Sequence, residues 1–364
     1  MRRPSAASSG PLWGSLAAGA LLAGSAVVAL VALLCMRPAA ASDAGALAPA
    51  ERAAILALGP WPPAPIRDPG NPASGRPDGI ALGETLFYSA RLSPTGLRCA
   101  SCHEPWRQFA DGRVVAQGIA PGSRNTPSLL DAARHRHYGW DGVRDQLWQQ
   151  SLRPLEDRRE MPADAAHIAA LMRGDPLLSA RHAAVFGAVS DDDARVTREV
   201  GLALAAYVET LATPRTPFDD WRERLAAGPD EPPNADAFPP AARRGLRLFV
   251  GRAGCSSCHA GPAFSDDALH VSLVHSMSAP GVPDAGHPGE PANRFRTPGL
   301  RDVASTAPWL HDGSAARLCD AVQPHAADAG ADPPPLTLAE RRDLVAFLRT
   351  LSAHARDDTP SCDH

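Results

Sequence analysis

Lysine is absent from the 364-residue chain: all 36 basic residues are arginine, set against 40 acidic ones for a net charge of −4. Beside heavy use of alanine and proline, that absence reads as genome composition rather than function. A slightly acidic chain also lacks the strongly basic face that nucleic-acid binding needs, so no nucleic-acid partner is expected. Cysteine is scarce: seven are too few for a disulfide-built scaffold of this length, and the number is odd. Convincing runs of alternating apolar and polar residues, the mark of half-buried strands, are missing. With 44% apolar residues, the chain is neither disordered throughout nor a multi-span membrane protein. Its length exceeds one ordinary hydrophobic core, so two domains are expected.

The chain opens with Arg2 and Arg3, then an apolar run from Pro11 to Met36, Arg37 and the small-residue stretch Ala39-Ala40-Ala41-Ser42. Residues 1–42 read as an export signal. The run is also long enough to span a bilayer, so a retained anchor is the competing reading. Either way the rest of the protein lies outside the cytoplasm, in the periplasm, soluble after cleavage or tethered. Residues 43–75, rich in Pro, Ala and Gly, read as a wrapping arm more than a core element. The proline-rich stretch Gly228 to Pro240 reads as an interdomain linker, giving domains at 43–234 and 235–364. Ser276 to Pro291 and Ala326 to Pro335 read as long loops.

The recognisable regular elements are helices. Val200, Leu204, Tyr207, Val208 and Leu211 repeat at helical spacing, as do Leu344, Phe347, Leu348 and Leu351. Thr337-Leu338-Ala339-Glu340 opens the second of these with a capping box. The fold class is mainly α with long loops.

Four of the seven cysteines fall in two copies of one pattern, Cys99-Ala100-Ser101-Cys102-His103 and Cys255-Ser256-Ser257-Cys258-His259. C-x-x-C-H is the c-type haem attachment sequence: two thiols form thioethers with the haem vinyls, and the histidine binds iron. A redox dithiol, a zinc site and a chance match are the alternatives. Each copy follows the same G-x-x-L-F phrase, Gly83-Glu84-Thr85-Leu86-Phe87 and Gly245-Leu246-Arg247-Leu248-Phe249. The halves therefore look like versions of one module, each carrying a haem c.

Between and after the haem motifs come Arg124-Asn125-Thr126-Pro127-Ser128-Leu129-Leu130, Trp140-Asp141-Gly142, Gln150, Pro154 and Glu160-Met161. The second half adds Phe295-Arg296-Thr297-Pro298-Gly299-Leu300-Arg301-Asp302-Val303 and Thr306-Ala307-Pro308-Trp309-Leu310-His311-Asp312-Gly313. In this order, over residues 76–352, the chain resembles the bacterial di-haem cytochrome c peroxidase and MauG family. The resemblance implies two cytochrome c-like haem domains, with peroxide reacting at the N-terminal haem and the C-terminal haem handling electrons. Glu160 matches the family's proton-moving glutamate and Gln150 its partner ten residues earlier. Trp140 matches the tryptophan that relays electrons between the haems. Asn125, Thr306 and Pro308 match the ligands of a calcium between the domains.

Two departures from the family pattern stand out. The histidine that blocks the N-terminal haem in many members would fall at Gln117, and no histidine lies between Glu104 and Arg134. That haem is expected to be five-coordinate. The sixth ligand of the C-terminal haem, Met or Tyr in the family, falls at His325; Met277 and His275 are rival ligands. His135 and His137 read as loop residues, and His311 is expected near the haem without binding iron. Of the remaining cysteines, Cys35 lies in the leader, and Cys319 and Cys362 are candidates for a disulfide. The expected function is peroxide reduction with electrons from a small cytochrome c or cupredoxin. Oxidation of aromatic residues in a partner protein is the alternative within the family, and a non-catalytic di-haem electron carrier the alternative outside it. A second copy of the chain is among the partners the resemblance allows.

Overall fold

Helices make up nearly all the regular structure of the computed structural model, which describes residues 47–228, 238–271, 294–322, 335–353 and 362. The leader with Cys35, residues 229–237 of the proline-rich linker, residues 276–291 and residues 326–334 lie outside the described residues, as do His325, Met277 and His275. Among the described residues no helix is long and apolar enough to cross a membrane.

In chain order the helices are α1 (Pro49–Leu56), α2 (Pro77–Phe87), α3 (Leu147–Glu156), α4 (Ala165–Gly174), α5 (Pro176–Phe186), α6 (Asp193–Val208), α7 (Pro217–Ala227), α8 (Pro240–Val250) and α9 (Leu338–Arg349). The mainly α class read from the sequence holds. The one sheet described is a two-stranded antiparallel ribbon, β1 (Leu269–Val271) against β2 (Arg294–Arg296).

Several helix starts follow from local chemistry. Asp192 caps α6 by accepting from the Ala194 and Arg195 amides. Thr337 and Glu340 form the capping box expected at α9. Thr216 and Asp219 form another at α7.

Two apolar clusters result. One gathers α2, α4, α6 and the inner face of α3 around Leu82, Phe87, Met172 and Val200. The other gathers α7, α8 and α9 around Phe218, Phe249, Phe264 and Phe347. The arm over residues 43–75 departs from expectation: it contributes α1 and places Ile55 and Leu58 in the second cluster, both buried. Burial of those side chains makes this stretch a core element, despite its proline content.

The repeated G-x-x-L-F phrase has a steric cause. A Cβ on Gly83 would sit 1.9 Å from the Ala203 carbonyl oxygen, and one on Gly245 would sit 1.9 Å from the Asp343 carbonyl oxygen. Each glycine lets its helix cross a partner in backbone contact, α2 on α6 and α8 on α9. The phrase's aromatic then packs on the partner, with Phe87 5.1 Å from Tyr207 and Phe249 5.1 Å from Phe347 between ring centroids. Cys319 and Cys362 are joined as a disulfide with Cα atoms 5.4 Å apart, fastening the tail to the second cluster.

Candidate active site

Each C-x-x-C-H pentad begins as a short 3-10 turn, Cys99–Ser101 and Cys255–Ser257. The histidine amide donates to the first cysteine's carbonyl at 2.9 Å in both, closing thiols and imidazole into one turn. His103 Nδ1 lies 2.8 Å from the Phe109 carbonyl oxygen, and His259 Nδ1 lies 3.0 Å from that of Phe264. Both phenylalanines sit at positive φ, 58° and 56°, an uncommon backbone state for a bulky residue. A carbonyl only accepts, so Nδ1 carries the proton and Nε2 keeps the lone pair, the tautomer an iron ligand needs. Burial lowers the His103 pKa and so favours the neutral ring.

The thiols behave correspondingly. Burial pushes Cys99 up to about 12, and Cys102 and Cys255 up to about 11. A redox dithiol works through an accessible thiolate with a depressed pKa, so that alternative does not fit. None of the four cysteines is in a disulfide. Paired free thiols beside an imidazole of the right tautomer fit covalent haem attachment.

At the second pentad a cavity of about 520 Å³ is lined by Cys255, Cys258, His259 and apolar side chains including Phe249, Leu318, Leu344 and Leu348. The first half of the chain completes its wall: Asn125, Thr126, His135 and Trp140 line the same space, with Thr306, Pro308 and His311 from the second half. The structure therefore brings together Trp140, Asn125, Thr306, Pro308 and the second haem motif.

Two reciprocal backbone bonds hold this junction. The Asn125 amide donates to the His311 carbonyl at 2.9 Å, and the Arg296 amide donates to the Trp140 carbonyl at 2.8 Å. Trp140 Nε1 donates to the Asn125 carbonyl oxygen at 2.8 Å. The Trp140 ring meets His311 edge-on at 6.4 Å, and His311 stacks on Phe295 at 3.8 Å. Burial lowers the His311 pKa to about 4. His311 Nε2 and Asp312 Oδ2 are buried without a hydrogen-bond partner.

Glu160 lies on the side of the first pentad. The Cys102 thiol approaches the Gln117 carbonyl at 3.7 Å, and two residues on the Ile119 amide donates to the Glu160 carbonyl at 3.0 Å. The negative charge of Glu160 is among the influences that raise the Cys102 pKa, after burial and Asp111. A side chain at Gly118 would collide with the Glu160 backbone, so glycine is what allows this close approach. Gln150, on α3, has a buried Oε1 without a hydrogen-bond partner. Glu160 Oε1 is 2.8 Å from Arg153 Nη1. Gln117 itself is exposed, with its amide turned to the Gly118 carbonyl.

Some site features had no signal in the sequence. His135 Nδ1 lies 3.0 Å from Asp267 Oδ1 and 3.0 Å from Arg296 Nη1, joining the two halves. Asp219 and Arg301 form a bidentate pair at 3.0 and 2.9 Å with both side chains only 2% exposed, and Arg301 lies 3.7 Å over the Trp61 ring. The hydrogen-bonded partners are 82 to 161 residues apart, and Trp61 and Arg301 are farther apart still, beyond any local pattern.

Residues 77–226 match the di-haem cytochrome c peroxidase family, CCP_MauG. The methylamine utilization protein MauG of Methylorubrum extorquens is 35% identical over 291 residues, covering 76% of this chain and 79% of that protein. The cytochrome-c peroxidase IdrP2 of Pseudomonas sp. (strain SCT) is 31% identical over 336 residues, covering 82% of this chain and 85% of that protein. Among solved structures, the diheme peroxidase BthA from Burkholderia thailandensis superposes with a TM-score of 0.65 at 27% identity, covering 79% of this chain and 87% of that one. With two haem-attachment turns built alike and relatives matched over most of their length, the chain belongs to the di-haem cytochrome c peroxidase and MauG family, an oxidoreductase of the peroxidase type.

Proposed function

We propose that the protein reduces hydrogen peroxide at a five-coordinate haem c held by Cys99, Cys102 and His103. Electrons come from a small redox protein, a cytochrome c or a cupredoxin, through a second haem c on Cys255, Cys258 and His259 and through Trp140. The balance is one peroxide, two electrons and two protons giving two waters. Each haem, when bound, supplies an iron centre for redox chemistry, the first as the place where the O–O bond is cleaved. The protein moves protons, orients peroxide and provides the electron path. Cleavage needs the proton on the near oxygen moved to the far oxygen, which leaves as water. Glu160 is the carrier of that proton, and Gln150 has an orphaned Oε1 to accept a hydrogen bond from peroxide or its water. The observation that carries this reading is the tie between Glu160 and Cys102 through residues 117–119.

Trp140 lines the second cavity from the first half of the chain, the placement a relay needs. Calcium is proposed at Asn125, Thr306 and Pro308. Oxygen donors suit a hard cation, and the buried Asp312 Oδ2, next to the residue that accepts the Asn125 amide, is an oxygen without a protein partner. Loss of activity in a calcium chelator and its return with added calcium would support that site. His325 remains the proposed sixth ligand of the second haem. The proposed location is the periplasm, where export by residues 1–42 would deliver the chain.

The test is peroxide-dependent oxidation of reduced cytochrome c by the haem-loaded protein. Glu160→Gln is expected to lower the rate at least about 100-fold, the low end for a lost general acid–base group. Wild-type turnover in that variant overturns the assignment. Gln117, at the place of the family's blocking histidine, favours a second reading: peroxide used to oxidise aromatic residues of a partner protein. Peroxide consumption without cytochrome oxidation, together with a mass change in a protein partner, would favour it.

A further inference from the structure

We infer that Arg153 is the positioning residue of the peroxide site, fixing the Glu160 carboxylate and bringing the positive charge that the reaction needs beside it. This rests on the reading of Glu160 as proton carrier.

Arg153 Nη1 donates to Glu160 Oε1 at 2.8 Å, and among the described residues that carboxylate is the one hydrogen-bond acceptor the guanidinium has. Four further N–H donors are left over. The backbone serves the same end. The Arg153 carbonyl accepts from the Asp157 amide at 3.0 Å, and the Asp157 carbonyl accepts from the Glu160 amide at 3.1 Å. One residue thus anchors both the turn that carries Glu160 and its side chain. Gln150 and Arg153 lie three apart on α3, which sets them on one face of the helix.

Two neighbouring arginines have acidic partners of their own: Arg144 pairs with Glu156 at 2.8 Å and Arg159 with Asp157 at 3.3 Å. Fold stability does not account for the Arg153 pair, because Arg153 is 44% and Glu160 29% exposed, and ion pairs so open to water contribute little. Its chemistry does. When the O–O bond breaks heterolytically, both bonding electrons go with the far oxygen, which takes the proton from Glu160 and leaves as water. The two electrons that complete the reduction come from the redox partner, and the remaining protons from solvent. Negative charge on the departing oxygen is stabilised by a fixed cation nearby.

The test uses the haem-loaded, di-ferric protein and two readouts, the second-order rate constant with peroxide by rapid mixing and the affinity for fluoride by absorption titration. Arg153→Gln is expected to lower the rate constant roughly 100-fold, the low end of the loss seen when a charge-stabilising donor is removed. Fluoride binding should weaken about fivefold or more. Arg153→Lys keeps the charge and can replace a single N–H contact, so both readouts should return to within about threefold of wild type. Glu160→Gln should slow peroxide but leave fluoride affinity within about threefold. Wild-type values of both readouts for Arg153→Gln, with Glu160→Gln slow, overturn the role of Arg153 alone. So does an Arg153→Lys variant as slow as Arg153→Gln. Glu160→Gln reacting at the wild-type rate instead sinks the proton-carrier reading on which the inference rests.

Discussion

Gly245→Ala puts a methyl group where α8 and α9 cross in backbone contact. The new Cβ would lie 1.9 Å from the Asp343 carbonyl oxygen and 2.9 Å from the Phe347 Cβ, where ordinary contact begins at 3.4 Å. Both neighbours belong to a helix, so no flexible side chain can move aside, and the helices must separate by more than an ångström. A gap of that size forfeits a large part of the contact energy along the seam. Overpacking of this kind costs about 3 kcal/mol, offset by about 1 kcal/mol because alanine favours helix over glycine, leaving a loss of about 2 kcal/mol. For a chain of 364 residues, with an unfolding entropy of about 2.1 cal/mol/K per residue, that is a fall of roughly 3 °C in melting temperature. Gly83→Ala should behave alike, since its Cβ would meet the Ala203 oxygen at 1.9 Å. Gly174→Ala is the control: nothing lies within 4 Å of its Cβ position, at the end of α4, and the change should be neutral or stabilising. Thermal unfolding of the haem-loaded variants, followed by circular dichroism, measures all three. A Gly245→Ala protein that melts at or above wild type would refute the steric account of the repeated phrase.

Breaking the Cys319–Cys362 link by Cys362→Ser reopens a loop of 43 residues, which should cost about 2–4 kcal/mol of stability, read as a lower denaturant midpoint; an unchanged midpoint under oxidising conditions would contradict the link. Trp140→Phe removes the donor to the Asn125 carbonyl and the oxidisable indole; electron transfer between the haems after a single reducing pulse should slow at least about tenfold while the melting temperature falls by no more than a few degrees. Transfer at the wild-type rate would remove Trp140 from the path. The His311 pKa of about 4 in the fold lies below its ordinary value of 6.5 because of burial, so the unfolded chain binds the extra proton first. Stability should fall as pH drops from about 6.5 toward 4, by up to about 3 kcal/mol. His311→Asn should flatten that slope, and an equally steep slope in the variant would assign it elsewhere.

Much of the site was legible because its chemistry is local. C-x-x-C-H needs two thiols and an imidazole within one turn, and Thr337 with Glu340 caps a helix without help from the rest of the chain. The G-x-x-L-F repeat was visible, but its cause was not, because Ala203 and Asp343 lie about 100 residues or more from the glycines they meet. A second echo joins Thr126-Pro127 with Asp131 and Thr297-Pro298 with Asp302, where both aspartates take φ of 59°. The arm over residues 43–75 misled for a physical reason: α1 is a short helix opened by Pro49, and its place in the core depends on α7 and α8 far along the chain. Arg153 carried no signal, since an arginine amid charged neighbours reads as solvated until the turn at Asp157 folds Glu160 back against it.

Electron paramagnetic resonance of the resting di-ferric protein, before and after one equivalent of peroxide, addresses the central proposal most directly. The proposed chemistry requires one high-spin five-coordinate haem and one low-spin haem at rest. Peroxide should abolish the high-spin signal within the mixing time in wild type and leave it largely intact in Glu160→Gln. Two low-spin signals that do not respond to peroxide would contradict a peroxide site beside Glu160 and leave only an electron carrier.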